Sequence, residues 1–201
     1  MRWFPALCIA LVVYGAYHRF VGTGTSVSHP TGVITAADDP LQSSTHAAAF
    51  QYHGYTIEPL ADFQITARTL SVEHYSTGRE SDLSPVDLAL GWGRMSDSAV
   101  LKQLQISQGG RFYFWRYENE PPIPVPEIIS HSANMHMIPA DVSVENKLRA
   151  VRQGEIVSLS GYLVKITAGD GWHWQSSLTR EDSGAGACEV IWVQQVSVNS
   201  Q

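Results

Sequence analysis

Between Gly154 and Val196 three runs alternate apolar and polar residues, separated by glycine turns, and no other stretch restricts the possible folds as much. Ile156 to Ile166 reads I-V-S-L-S-G-Y-L-V-K-I. Its period of two is that of a strand whose successive side chains change face, not of a helix. Ala168-Gly169-Asp170-Gly171 supplies a turn, Trp172–Thr179 a second run, and Cys188–Val196 a third beyond the glycine-rich Ser183–Ala187. The chain is therefore predicted to close on three β-strands.

The rest of the chain is read around that end. Phe50 to Tyr75 predicts two strands with Pro59 and Asp62 between them. Ser84-Pro85 resembles a helix start, a capping hydroxyl followed by proline. It predicts two short helices over Ser84–Leu104, around the corner Gly91-Trp92-Gly93. Gly110 to Tyr117 (G-R-F-Y-F-W-R-Y) is aromatic on both faces and predicts a central strand. Four prolines between Pro121 and Pro126 predict an extended connector. Ile128–Pro139 predicts one or two short strands. Asp141–Gln153 predicts a helix with Val144, Leu148 and Val151 on one face and Gly154 as its stop. Strands outnumber helices and no βαβ alternation appears. The fold class is all-β or α+β: a small mixed barrel or curled antiparallel sheet, with OB-like or SH3-like closing strands and two or three short helices.

Composition bounds the organisation. The chain has 201 residues. Residues 1–21 open with Arg2 and an apolar run from Trp3 to Tyr17, expected to be a signal anchor or a signal peptide. Residues 22–49 are rich in Gly, Ser, Thr, Pro and Ala without apolar period, expected to be a flexible linker. Residues 50–198 are the size of one domain. Either reading of the N-terminus places the domain outside the cytoplasm, in the periplasm or at the cell surface. The net charge is −6, and Met1–Phe20 carries Arg2 and Arg19 and no acid, so the domain is more acidic still. That excludes nucleic acid as the expected partner, because phosphate binding needs clustered cations. The two cysteines, Cys8 and Cys188, fall in different regions, so no disulfide is expected within the domain. No metal-ligand spacing and no cofactor motif is present.

Two functional readings remain open. In the first, the domain binds an envelope protein, peptide or glycan and catalyses nothing. Its surplus aromatics and cations provide the contacts: Trp172, Trp174 and Ser176 on one strand face, and Trp92 with Arg94 in the helix–helix corner. In the second, Cys188 is the nucleophile of a cysteine-dependent hydrolase or transpeptidase acting on an envelope peptide. A histidine, His136 before His131 or His173, would act as base, and Arg180 would face the developing charge. His131, His136 and Asp141 form a weaker metal candidate. The discriminating feature is the surrounding of Cys188, whether a cleft beside a histidine or an apolar core.

Overall fold

In the computed structural model, residues 26–179 and 188–199 are described. The strands are β1 (Leu41–Ser43), β2 (Phe50–Tyr52), β3 (Tyr55–His74), β4 (Val86–Gly91), β5 (Gln105–Gly109), β6 (Phe112–Arg116), β7 (Ser132–Pro139), β8 (Ile156–Thr167), β9 (His173–Gln175) and β10 (Glu189–Asn199). Three short helices accompany them, α1 (Ser98–Leu101), α2 (Val125–Ser130) and α3 (Val142–Ala150), with 3-10 turns at Arg79–Asp82 and Gly93–Ser96. The fold is mostly β, a curled and largely antiparallel sheet with few helices, as the alternation predicts.

The curl follows from one strand. β3 pairs with β8 along Thr56–Arg68 and with β4 along Arg68–His74. Bulges at Pro59/Ala61 and Thr69/Ser71 let a strand of 20 residues bend. β4 pairs with β7, β7 runs parallel to β10, and β10 pairs with β8, so the neighbours β3-β4-β7-β10-β8 lead back to β3. The inward side chains, among them Phe63, Ile65, Leu88, Leu90, Met135, Met137, Leu159 and Ile191, form one core. α3 closes an end of it with Val144 and Leu148. It starts where the Asp141 carboxylate accepts the Val144 N–H.

The outer face of the sheet carries two further apolar layers. One contains Leu83, Ile138, Val164, Val190 and Trp192, covered by β2 and by Trp172 and Trp174. The other contains Leu70, Ala89, Met95, Leu104 and Ile128, covered by Tyr113, Trp115 and Tyr117 of the separate β5–β6 hairpin.

Several expectations need correction. Val86–Gly91 is a fully buried strand, not a helix, because a proline also suits the residue before a strand. Tyr55–His74 is one strand, not two; Pro59 sits at a bulge, where its missing N–H costs no ladder bond. Phe112–Arg116 is not central. It pairs only with β5, its inner aromatics pack on the sheet, and Phe112 and Phe114 are exposed. The stretch expected to be a free linker is fastened down from Val27 onward. Val27 N–H donates to the Gln153 carbonyl, Thr35 and Ala36 N–H to Ser96 Oγ, and β1 pairs with β3. Residues 1–25 and Arg180 lie outside the described residues. Among the described residues no helix is long and apolar enough to cross a membrane.

Candidate functional site

Where the two outer layers meet, the sheet carries charge instead of apolar side chains. Asp87 on β4 stands opposite His136 on β7, and His136 opposite Val190 on β10. One row along, Ala89 stands opposite Asn134. Asp87 has no exposed surface and His136 has 2%. An isolated buried carboxylate is costly and needs partners. Asp87 Oδ1 accepts from Arg111 Nη1 at 2.7 Å and from Ser84 Oγ at 3.3 Å. His136 Nδ1 lies 2.9 Å from Asp87 Oδ2, at ion-pair distance but off the hydrogen-bond direction.

Arg111 arrives from the tip of the β5–β6 hairpin. The two loop residues Gly110 and Arg111 have φ of 59° and 70°, the left-handed pair of a tight hairpin turn. Glycine adopts this freely; arginine does so at a cost of about 1 kcal/mol or more. The cluster holds it there. Its guanidinium lies 3.7 Å over the Tyr75 ring and donates to the Ser84 carbonyl at 2.9 Å, while its backbone N–H donates to Tyr75 Oη at 3.0 Å. Its carbonyl accepts from Asn134 Nδ2 at 3.0 Å. Gln108 Nε2 in turn donates to Asn134 Oδ1 at 2.6 Å. The field of this cluster reaches its rim. The Glu73 carboxyl sits above its ordinary range, first through burial and then through the Asp87 charge. Burial raises the Tyr75 phenol, with Arg111 opposing.

Trp174 forms the roof, its ring 4.7 Å from His136 and 5.8 Å from the Arg111 guanidinium. Trp172 follows at 6.3 Å. On the far side of Trp172 the Arg79 guanidinium lies 4.6 Å over its ring and 5.3 Å over Tyr55, and pairs with the exposed Asp170 at 2.7 Å. This pairing holds the Asp170 carboxyl below its usual range. A strip of half-buried aromatics interleaved with two arginines thus runs from Tyr75 to Tyr55.

Cys188 enters this corner from the start of β10. It is partly buried, and its Sγ donates to the Arg111 carbonyl at 3.8 Å. Its surrounding is polar rather than an apolar core. Ser177 N–H donates to the Cys188 carbonyl, and Ser176 Oγ accepts from Val190 N–H and donates to the Ser177 carbonyl.

The structure thus brings Trp172, Trp174, His136 and Cys188 to one corner. Ser176 is at its base but 3% exposed, and its hydroxyl knits two segments together instead of facing a ligand. Trp92 is not a surface contact: it is 1% exposed and its Nε1 donates to Asp39. Arg94 stands elsewhere, in a bidentate pair with Glu127 that pulls the Glu127 carboxyl down. His131 contacts Asp39 and the Glu127 carbonyl, whereas His136 faces Asp87, so the two histidines do not converge. Among the described residues no group of three metal-ligating side chains forms. Sequence reasoning missed Asp87 and Arg111. The signals were there: a lone acid inside V-D-L-A-L, and an arginine directly after Gly109-Gly110. A groove of about 630 Å³ between β3, α3 and β10, lined by Gln64, Thr66, Ser158, Gln195 and Lys147, holds Asp141 of the metal candidate but neither of its histidines and none of the other predicted site residues. No family model, curated protein or solved structure matches this chain.

Proposed function

We propose that the chain is a membrane-anchored binding domain, held outside the cytoplasm by residues 1–21, whose Tyr55–Arg79–Trp172–Trp174 strip docks an envelope protein or peptide. The observation that supports this most is the stacking of Arg79 between Tyr55 and Trp172 at a half-exposed surface. Trp, Tyr and Arg are the residues that dominate binding energy at interfaces. The strand order β3-β4-β7-β10-β8, with α3 at one end of the core, resembles a small OB-like barrel, a scaffold suited to presenting such a face.

The test is a photo-crosslinker at His173, exposed between the two tryptophans, in the full chain in its own envelope. One discrete adduct is expected, lost on Trp172→Ala with Arg79→Ala and retained in Cys188→Ala. Equal labelling in all variants refutes the binding strip. A disulfide-dependent phosphatase fused to the C-terminus gains activity only in an oxidising compartment, so an active fusion is expected and an inactive one refutes the topology.

One observation favours a second reading, a cysteine-dependent hydrolase or transpeptidase. Cys188 meets the Arg111 carbonyl beside the Asp87–His136 pair. In that case iodoacetamide at neutral pH labels Cys188 within minutes and His136→Ala slows it at least tenfold. A thiol inert in the native chain removes this reading.

A further inference from the structure

A second cavity lies at the opposite edge of the hairpin, beneath the strap Ser26–His29. Its volume is about 430 Å³, within the roughly 300–1,000 Å³ of small-molecule sites. Arg68 lines it and is 7% exposed. Its Nη1 donates to the Ser96 carbonyl and to Ser98 Oγ, but its Nε has no hydrogen-bond acceptor, and among the described residues it joins no ion pair. A buried polar group without a partner is unusual, since such groups are nearly always satisfied. Burial lowers the proton affinity of the Arg68 guanidinium, with Asp97 the opposing charge.

The remaining lining supplies what an oxyanion needs. Lys102 adds a cationic group, and Ser98 adds a hydroxyl. In a chain of net charge −6 this is a local excess of positive charge. Arg68 keeps its Nε–H on the guanidinium edge away from the engaged Nη1, a donor that a phosphate oxygen can accept. Leu101, Leu104 and Ile106 form an apolar wall on the same cavity. The site is therefore cationic on one side and apolar on the other, and larger than a bare phosphate requires.

We propose that this cavity binds a phosphate group carried on a small organic body, either a phospholipid headgroup or a free phosphorylated metabolite. The phosphate engages Arg68 Nε and Lys102, and its substituent lies along Leu101 and Ile106. The headgroup source rests on the membrane-anchored reading, because the strap leads directly back toward residues 1–25. The oxyanion site does not rest on it.

The experiment uses the full chain in maltoside micelles with ¹⁵N-labelled arginine. Glycerol 3-phosphate, dihexanoyl phosphatidylglycerol and, as control, glycerol are titrated while the Arg68 Nε–Hε resonance is followed and affinity is measured by calorimetry. A saturable downfield shift of that resonance is expected with at least one phosphate probe and none with glycerol. Response to phosphatidylglycerol alone assigns the lipid source; response to both at similar affinity assigns the free metabolite. Arg68→Lys is expected to weaken calorimetric binding at least about tenfold, the order lost with one charge-assisted hydrogen bond. Lys102→Ala, at an exposed side chain that leaves the fold intact, is expected to weaken it about threefold. No saturable shift with either probe, or affinity unchanged in both variants, overturns the proposal. Carbonate extraction of envelopes reads the anchor separately, so loss of the anchor reading and loss of the site are distinguishable.

Discussion

Gly154→Ala tests whether the strap is part of the domain. Gly154 has φ of +91°, and a Cβ there would lie 2.0 Å from the Val27 carbonyl oxygen, where ordinary contact begins at 3.4 Å. The strap must retreat by more than an ångström. Two of the strap's hydrogen bonds flank this turn: Val27 N–H to the Gln153 carbonyl at 2.8 Å, and His29 Nε2 to the Gly154 carbonyl at 2.7 Å. At about 1 kcal/mol each, plus about 1–2 kcal/mol for an L side chain at positive φ, detaching the strap becomes easier by roughly 3 kcal/mol. Because the strap can leave without breaking the sheet, the loss is local. The Val27 amide should exchange with solvent about a hundredfold faster, at roughly 1.4 kcal/mol per tenfold, while the β8 amides stay protected. Gly32→Ala is the control: its φ is +79°, but an added Cβ meets nothing within 4 Å, so only the strain remains. If Gly154→Ala leaves Val27 as protected as before, the strap is not held by these contacts. If it lowers protection equally throughout β8, the effect is global and the reasoning fails.

Asp87→Ala removes the buried counter-charge of Arg111 and the carboxylate facing His136, and is expected to destabilise the fold by about 3–5 kcal/mol, read as a lower denaturant midpoint; an unchanged midpoint refutes the buried cluster. Gly161→Ala places a Cβ 1.9 Å from the Trp192 carbonyl oxygen, beside the β10 bulge, and should lower stability by about 3 kcal/mol in thermal melts. Burial pushes the Tyr113 phenol up to about 12, with a weak contact from Ser132 acting against it. Its folded value exceeds the unfolded value of about 10, so its contribution is complete below pH 10 and is lost as pH rises through about 12. Absorbance at 295 nm should show a late phenolate step that Tyr113→Phe removes.

The closing strands were legible because β8 is wet on one face and its alternation survives in sequence as I-V-S-L-S. β4 was not, since it is buried on both faces and a fully buried strand has no period to read. Ser84-Pro85 then supplied a misleading helix start. The Ser84 hydroxyl turns to Asp87, three residues on, instead of capping. Trp92 could not be placed by composition, because it packs in the core while its Nε1 partner is Asp39, 53 residues earlier in the chain. The strap is invisible locally for a similar reason: backbone groups of Val27 and Thr35 bond to Gln153 and Ser96, and a backbone amide has no residue signature. The candidate corner was half legible. Trp172, Trp174 and Cys188 lie in one stretch of sequence. Asp87, Arg111 and His136 come from three strands or turns, and only the β4–β7 register and the hairpin tip bring them together.

The position of that charge cluster follows from how the outer face is covered. β9 and its tryptophans cover the sheet from one side and the β5–β6 hairpin from the other, each over its own apolar layer. The seam between them falls on the Asp87–His136 row, which neither cover reaches alone. An apolar seam would serve stability as well, since apolar replacements of buried ion pairs are often neutral or stabilising. Stability therefore does not explain why a carboxylate stands there. Position does: Arg111 can reach Asp87 only if the hairpin tip sits at one point on the face, and the left-handed backbone of Arg111 is tolerated only there. The cluster fixes the hairpin, the hairpin carbonyl meets the Cys188 thiol, and the stacked Trp174 stands over both arginine and histidine. An Asp87→Leu, Arg111→Met double variant separates the two roles. It should recover most of the stability that Asp87→Ala loses, while the Trp174 emission and the accessibility of Cys188 shift because the hairpin tip is no longer pinned. Recovery of stability with both signals unchanged would show that packing alone sets this corner.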